Sequence, residues 1–263
     1  MTTTTGLGVR TASGRRRYPL LAILLLFLSL TFGIGAQLIL GPVFGYPGIA
    51  EAPAAEMFEA FDANRTTVSA VFYVIVVAEL MRIPIAIGLH QVLRGGTGWL
   101  LTFTVFGALA GVFRALDYVL WPFLVPRLAD AYLDPASSDA TRDAAAVMYD
   151  SLFSYLGDAL GGNLGLLLVI VWALGISAAM LRSGRFPRWL VVWGVLGAAG
   201  TAVNYAEFLG STTGVIGVVG AVGQALVYTW LAATGVVLLV GVRPADGSYS
   251  VDRRSADRSA GNR

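Results

Sequence analysis

Six long apolar stretches constrain what this chain can fold into more than any other feature of its sequence. A helix needs about 20 consecutive apolar residues to cross the ~30 Å hydrocarbon layer of a bilayer, and each stretch has that length. The short alternating segments that build membrane β-barrels are absent from them. The sequence therefore predicts six transmembrane helices. Their ranges are Tyr18–Leu40, Val68–Leu89, Trp99–Val125, Leu156–Leu181, Trp189–Leu209 and Val215–Gly241.

The composition excludes a soluble protein of this length. Of the 263 residues, 56% are hydrophobic and only 13% are charged, whereas soluble domains carry about 25% charged residues. The chain contains no cysteine, so disulfides, thiol nucleophiles and zinc–thiolate sites are excluded. We predict an all-α polytopic integral membrane protein whose single domain, a six-helix transmembrane bundle, covers residues 18–241.

The distribution of arginine predicts the orientation of the bundle, because Arg and Lys are retained on the cytoplasmic side of membranes. With the N-terminus inside, most of the 18 basic residues fall into the two tails and the short loops at Arg94 and Arg182–Arg188. We therefore expect an N-in, C-in, multi-pass protein of the inner (cytoplasmic) cell membrane. Residues 1–17 then form a cytoplasmic tail, and residues 242–263 form a second, disordered one.

The basic cytoplasmic face predicts the partners of the protein. Arginine near a bilayer surface is attracted to anionic lipid headgroups, which accounts for these charges without a nucleic acid. We expect the lipid bilayer as the partner, with anionic lipids at that face, and no nucleic acid. The first apolar stretch follows Arg15-Arg16-Arg17. It is too long for a cleaved signal peptide, so we interpret it as a retained signal anchor.

Two long loops on the predicted outer side carry short helical patterns. In Pro53–Asn64, Met57, Phe58 and Phe61 alternate with acidic residues, a pattern that predicts an amphipathic turn lying on the membrane surface. In the second loop, Ser137-Ser138-Asp139 supplies residues that favour a helix N-cap. The fourth transmembrane helix is therefore expected to begin well outside the bilayer.

Six ionisable residues fall within the predicted helices, where each costs roughly 2.5–3.5 kcal/mol on insertion scales. They are Glu79, Arg82, Arg114, Asp117, Asp158 and Glu207. Opposite charges recur at a spacing of i,i+3 in two pairs, Glu79 with Arg82 and Arg114 with Asp117, so each pair meets on one helix face. Two arginines face four carboxylates, and the excess negative charge requires a proton, a bound cation or an aqueous vestibule.

These residues lead to two functional hypotheses. In the first, they surround an outward-facing polar vestibule of a binding or transport-like bundle, which takes a cation, a proton or a lipid headgroup, with Glu79 and Arg82 as its floor. In the second, the protein is a non-catalytic scaffold or binds a partner protein, and its charges are structural ion pairs. An enzyme is disfavoured because His90, the only histidine, is far from the acids. We expect no metal site and no cofactor.

Two segments resemble a known family. Phe113–Asp117, with the sequence Phe-Arg-Ala-Leu-Asp, is similar to the Phe-Arg-acidic motif in helix 3 of the six-helix membrane family called domain of unknown function 4386. Leu181–Leu190, with the sequence Leu-Arg-Ser-Gly-Arg-Phe-Pro-Arg-Trp-Leu, is similar to that family's turn between helices 4 and 5. The resemblance extends over Tyr18–Gly241 and implies a six-helix fold and topology, but no activity. The chain departs from the family in helix 4, where Tyr155 or Asp158 replaces a frequent histidine.

Overall fold

The structure of the chain is a computed structural model that describes residues 14–93, 98–209 and 214–241. Within these residues every regular element is helical and none is a strand. Six of the described helical stretches are long and apolar enough to cross a membrane. This finding confirms the prediction of an all-α polytopic membrane bundle. The stretches are Leu20–Phe44, Arg65–Leu93, Leu100–Leu133, Asp139–Ser183, Arg188–Ala206 and Val215–Val240.

Ten α-helices and three other helical segments make up the described part of the chain. The α-helices are α1 (Gly14–Phe44), α2 (Ala54–Ala63), α3 (Arg65–Leu80), α4 (Arg82–Leu93), α5 (Leu100–Phe123), α6 (Val125–Leu133), α7 (Asp139–Leu152), α8 (Leu166–Ser183), α9 (Arg188–Ala202) and α10 (Gly214–Val240). A π-helix, Phe153–Gly165, connects α7 to α8, and 3₁₀ helices occupy Gly48–Glu51 and Val203–Leu209. Of the predicted tails, residues 14–17 begin α1, while residues 1–13 and 242–263 lie outside the described part, as does Arg94.

The second predicted transmembrane helix is continuous over Arg65–Leu93, but its hydrogen-bond pattern is interrupted near the middle. α3 ends at Leu80, Met81 forms a turn, and α4 begins at Arg82. Pro84 explains the break because it lacks the N–H group that would donate to the carbonyl of Leu80, four residues earlier. As a result, Glu79 and Arg82 lie on either side of a turn inside a membrane-spanning stretch.

The fourth transmembrane stretch is far longer than its apolar sequence. α7, the π-helix and α8 run without interruption over Asp139–Ser183, a length of 45 residues. Ser138 is the N-cap of α7, and its Oγ accepts a hydrogen bond from the N–H of Thr141. The predicted N-cap is therefore confirmed. Within this continuous helix the backbone hydrogen bonds change from α to π spacing over Phe153–Gly165. π-Helices are uncommon and often mark functional sites.

α5 lies at the centre of the bundle, where it contacts α3, α4, α8 and the π-helix. α9 packs against α8 and α10, and α1 packs against α3, α4 and α10. The buried apolar side chains form two clusters, one toward each end of the bundle. The cluster near the turn between α8 and α9 includes Trp172, Trp230 and Leu190, and we call that end the hairpin end. The other cluster includes Phe72 and Trp121 and lies at what we call the cap end.

Helices α2, α6 and α7 pack together at the cap end and form a cap on the bundle. Met57, Phe58 and Phe61 of α2 are fully buried within it, and the hydroxyl of Tyr149 donates to the carbonyl of Ala50. The prediction that this amphipathic segment lies on the membrane surface is therefore wrong. An amphipathic helix needs an apolar partner for one of its faces, and here α6 and α7 supply that partner instead of lipid.

Candidate functional site

Four of the six predicted ionisable residues converge in a single row of alternating charge. Glu79 Oε2 accepts hydrogen bonds from Arg82 Nη2 at 2.6 Å and from Arg82 Nε at 3.2 Å. Arg114 Nε lies 4.0 Å from Glu79 Oε1, and Arg114 Nη1 donates to Asp117 Oδ2 at 3.3 Å. We call Arg82, Glu79, Arg114 and Asp117 the charged row. Its side chains are between 8% and 14% exposed, so the row is almost entirely buried.

Local structure brings the row together from two membrane-spanning stretches. Arg114 and Asp117 lie about one turn apart on α5, the spacing at which side chains of a helix meet. Glu79 and Arg82 flank the break between α3 and α4. Gly111 lets α5 approach this break closely, since a Cβ atom there would lie 2.7 Å from the Glu79 carbonyl oxygen and 3.1 Å from Arg82 Cβ. The two predicted pairs thereby become one network.

The π-helix encloses the Asp117 end of the charged row. A Cβ atom on Gly161 would overlap Asp117 Cβ, and one on Gly165 would lie 3.2 Å from Arg114 Cδ. The carbonyl of Gly161 also accepts a hydrogen bond from Arg114 Nη1 at 3.5 Å. Glycine at these two positions therefore lets the π-helix cover Asp117 and offer a backbone acceptor to Arg114.

A cavity of about 500 Å³ lies beside the charged row, between α1, α3, α5 and α10. Its volume is in the range of sites that take small organic ligands, roughly 300–1,000 Å³. Arg82, Glu79 and Arg114 line the cavity, whereas Asp117 does not. The other polar residues of the lining are Ser29 and Gln37 from α1, Tyr118 from α5, and Gln224 and Tyr228 from α10.

The cavity opens sideways between α1 and α10. These helices contact one another toward the hairpin end, where a Cβ atom on Gly235 would lie 3.0 Å from the ring of Phe27. Nearer the cap end, two cavity-lining side chains of α1 reach the surface of the bundle, and Ile34 is 58% and Leu38 72% exposed. Ala221 of α10 is exposed along the opposite edge. Both edges belong to membrane-spanning helices, and their exposed side chains include the polar Gln37 besides these apolar residues.

Aromatic side chains fill the space between the cavity and the cap. Tyr118, which lines the cavity, stacks on Phe72 with ring centres 6.2 Å apart. Phe72 stacks in turn on Trp121, with ring centres 4.6 Å apart and planes inclined by 7°, and Tyr46 contacts both of these rings edge-on. The sequence predicts a polar vestibule around six ionisable residues, and three of them, Glu79, Arg82 and Arg114, line this cavity.

The other two predicted residues lie apart from the cavity lining. Asp158 is exposed on the π-helix and forms no hydrogen bond or ion pair with the residues that the structure describes. The backbone of Glu207 belongs to the 3₁₀ helix Val203–Leu209, and its side chain lies outside the described part. The charged row itself contains equal numbers of arginines and carboxylates, so the excess of acids indicated by the sequence is not found within it.

Tyr118 lines the cavity and escapes the sequence reasoning. Tyr118 follows Arg114 by four residues, and its hydroxyl accepts a hydrogen bond from Arg114 Nη2. That spacing is the signal that could have found it. Gln224 and Tyr228 are also four residues apart, in the apolar sequence of α10, and the sequence does predict that they lie on the inward face of that helix. Polar residues at i,i+4 within a transmembrane helix indicate a face that contacts other helices or lines a cavity.

His90, the single histidine of the chain, does not line the cavity. Its Nδ1 lies 2.9 Å from Thr104 Oγ1, a hydroxyl that also lies 2.8 Å from the carbonyl oxygen of Leu100. In the described part of the chain, no three His, Asp or Glu side chains come close enough together to hold a metal ion. The groups that the cavity offers to a ligand are guanidinium, carboxylate, amide and hydroxyl.

Six membrane-spanning helical stretches around a buried charged row define an α-helical polytopic membrane protein. The chain belongs to the family described as Domain of unknown function (DUF4386), which it matches over residues 20–235. The matched range includes Phe113–Asp117 and Leu181–Leu190, so the resemblance is confirmed. No curated protein and no solved structure shows significant similarity to the chain. The function has to be inferred from the cavity.

Proposed function

We propose that this protein binds a single amphiphilic molecule that enters from the lipid bilayer. The polar end of the ligand contacts the charged row, and its apolar part passes between α1 and α10 into the bilayer. The observation that carries this proposal is the cavity of about 500 Å³, which combines a base of buried charges with a mainly apolar opening between two membrane-spanning helices. Membrane lipids have the same division into a polar and an apolar end.

The lining charges favour a lipid headgroup over the other two ligands that the sequence suggests. Two guanidinium groups and one carboxylate line the cavity, so its surface repels a cation. A proton carrier requires a series of groups that exchange protons, but Glu79 is the single carboxylate of the lining. A lipid headgroup requires neither a lining that attracts cations nor groups that exchange protons. The opening between α1 and α10 also gives a lipid a path that does not pass through water.

Obstructing the opening tests the proposal. Ala221 lines the cavity and is exposed at its edge, so Ala221→Trp places a large side chain in the opening. Val222, the next residue, is 54% exposed but does not line the cavity, so Val222→Trp is a control with the same new side chain. Native mass spectrometry measures the binding of phosphatidylglycerol and phosphatidylethanolamine, supplied at equal concentration in detergent micelles.

The proposal predicts saturable lipid binding by the unmodified protein and by Val222→Trp, and binding at least about tenfold weaker by Ala221→Trp. Both new side chains lie on the lipid-facing surface, so the two variants are expected to give the same yield of folded protein. Equal binding by all three proteins contradicts the proposal. The absence of saturable binding to the unmodified protein contradicts it as well.

The alternative function is a scaffold whose charges only stabilise helix assembly. The observation in its favour is that the charged row is internally balanced, since its arginines and carboxylates contact one another in alternation. A scaffold has no use for the space beside the row. This alternative therefore predicts that Ala221→Trp leaves lipid binding unchanged, so the same pair of tryptophan variants separates the two functions.

We also propose that the bundle lies in the inner membrane with both termini in the cytoplasm. Arginine in the tails and hairpin turns supports this orientation, and anionic lipids are the partners that such a basic face contacts. Because the chain has no cysteine, single cysteine substitutions report the orientation. A membrane-impermeant maleimide should label Ala140→Cys, in the cap, in intact cells, and Arg188→Cys only after permeabilisation. The reverse pattern contradicts this orientation.

A further inference from the structure

We infer that the polar end of the ligand is a phosphodiester with a net negative charge, as in an anionic phospholipid. This inference rests on the proposed function, because it names the class of lipid that the cavity accepts. Its starting point is the set of charges that reach the cavity surface. Arg82, Arg114 and Glu79 line the cavity, but Asp117 lies behind Arg114, outside the lining. The lining therefore carries more positive than negative charge.

Both arginines keep N–H groups that the charged row does not use. Arg82 directs Nε and Nη2 to Glu79, while its Nη1 has no hydrogen-bond partner in the part of the chain that the structure describes. Arg114 uses Nη1 and Nη2 within the protein, but its Nε is 4.0 Å from Glu79 Oε1, which is too far for a hydrogen bond. Guanidinium donors match the spacing of phosphate oxygens, so these free N–H groups suit a phosphodiester.

Helix α10 adds two further polar groups to the cavity. The amide of Gln224 and the hydroxyl of Tyr228 line it, and neither side chain has a hydrogen-bond partner among the described residues. A phosphodiester presents two non-bridging oxygens, which share one negative charge, and two ester oxygens, enough acceptors for donors on α4, α5 and α10 together. A fatty-acid carboxylate has only two oxygens and would leave more of these donors without an acceptor.

A monoanionic headgroup also suits the charges at the cavity surface. The charged row is neutral as a whole, but Asp117 lies outside the lining, so a headgroup in the cavity faces two guanidinium groups and one carboxylate. A zwitterionic headgroup also brings an ammonium group, which the two guanidinium groups repel. In addition, Glu79 Oε1 accepts no hydrogen bond from the described residues. It is therefore available to a headgroup hydroxyl, a group that phosphatidylglycerol carries.

Competition between lipids separates this inference from the proposed function. With phosphatidylglycerol and phosphatidylethanolamine at equal concentration, we expect phosphatidylglycerol to occupy the cavity about tenfold more often. We further expect Ala221→Trp to remove that binding. Binding that Ala221→Trp removes but that shows no preference between the two lipids overturns the inference and leaves the proposed function intact. Glycerol phosphate, which has no acyl chains, should not compete, and competition equal to that of phosphatidylglycerol also overturns the inference, because the ligand is then a soluble phosphate.

A substitution in the charged row tests the arginines directly. Arg82→Gln removes one positive charge from the lining, while Glu79 keeps Arg114 as a neighbour. We expect the preference for phosphatidylglycerol to fall about tenfold, to near parity. Arg65→Gln, the same change in the cap and away from the cavity, should leave the preference unchanged.

A double variant allows the same test if Arg82→Gln does not fold. If Arg82→Gln is not recovered as folded protein, the double variant Glu79→Gln/Arg82→Gln removes the pair together and leaves no unpaired charge behind. It still deletes the free Arg82 Nη1 donor, so the preference for phosphatidylglycerol should fall in this variant as well. An unchanged preference in whichever of the two variants folds overturns the inference.

Discussion

Arginine–carboxylate pairs with the same i,i+3 spacing occur in two regions of this protein, the cap end and the charged row. At the cap end, Arg65 pairs with Asp62, and the two side chains are 34% and 51% exposed. In the charged row, Arg82 pairs with Glu79, and the two side chains are 8% and 9% exposed. The chemistry and the spacing are the same, and only the surroundings differ. Sequence spacing thus identifies a pair, whereas burial decides what the pair does.

The energetic contrast between the two regions follows from their access to water. An exposed pair contributes about 0–1 kcal/mol, because water stabilises each charge separately. A buried pair adds little net stability when intact, yet the loss of one partner costs about 3–5 kcal/mol because the other charge is left uncompensated. The attraction between the charges of the row is therefore largely offset by the free energy of removing them from water. The binding that we propose at the adjacent cavity gives the row a role that the exposed pairs do not have.

The largest expected effect is the loss of stability when one charge of the row is removed. Arg114→Ala takes away the arginine that pairs with Asp117 and lies beside Glu79. We expect the free energy of unfolding to fall by about 3–5 kcal/mol, because a buried carboxylate then remains unpaired. Unfolding by sodium dodecyl sulfate in mixed micelles, followed by circular dichroism, measures the change.

Arg65→Ala is the matched control for this prediction, since it deletes the same side chain from an exposed pair. Arg65→Ala should lower the free energy of unfolding by no more than about 1 kcal/mol. Replacing both members of the row pair, in Arg114→Met/Asp117→Leu, should cost less than Arg114→Ala alone, because no unpaired charge remains. Equal losses in Arg114→Ala and Arg65→Ala would show that burial does not distinguish the two regions.

The next effect in size concerns how closely the charged row is enclosed. A Cβ atom on Gly161 would overlap Asp117, so Gly161→Ala should push the π-helix away from α5 and cost about 1–3 kcal/mol. Gly35→Ala in α1 is the control, because no atom lies within 4 Å of the added Cβ and alanine favours a helix over glycine. Unfolding curves in the same micelles provide the comparison. If Gly161→Ala leaves the free energy of unfolding unchanged, the π-helix does not hold Asp117 in place.

The sequence predicts the pairs of the charged row but not the row itself. Arg114 and Asp117 meet because of helix geometry, which depends only on their spacing. The contact between Arg114 and Glu79 instead joins two helices that approach at Gly111. No local pattern reports which helices are neighbours, so this contact could not be predicted. For the same reason, the opening between α1 and α10 could not be predicted.

Segments of the cap show what local chemistry does and does not specify. The N-cap at Ser138 is predicted correctly because a cap depends only on residues within one turn. The periodicity of Pro53–Asn64 correctly requires an apolar partner, but the pattern is the same whether that partner is lipid or protein. Its place in the cap therefore depends on tertiary packing.

The interruption at Met81, between α3 and α4, follows from Pro84 by a local rule.

The smallest expected effect is at the cap end, where the exposed pairs should respond to salt. Asp130 of α6 accepts a hydrogen bond from Arg65 Nη2, and its side chain is 63% exposed. Asp130→Asn removes the charge but keeps the shape, so the loss in unfolding free energy at low salt should be about 0–1 kcal/mol. In about 1 M salt, where the screening length falls to about 3 Å, the difference should shrink. A loss that persists at high salt would show that this pair resembles the buried row, and the contrast between the two regions would fail.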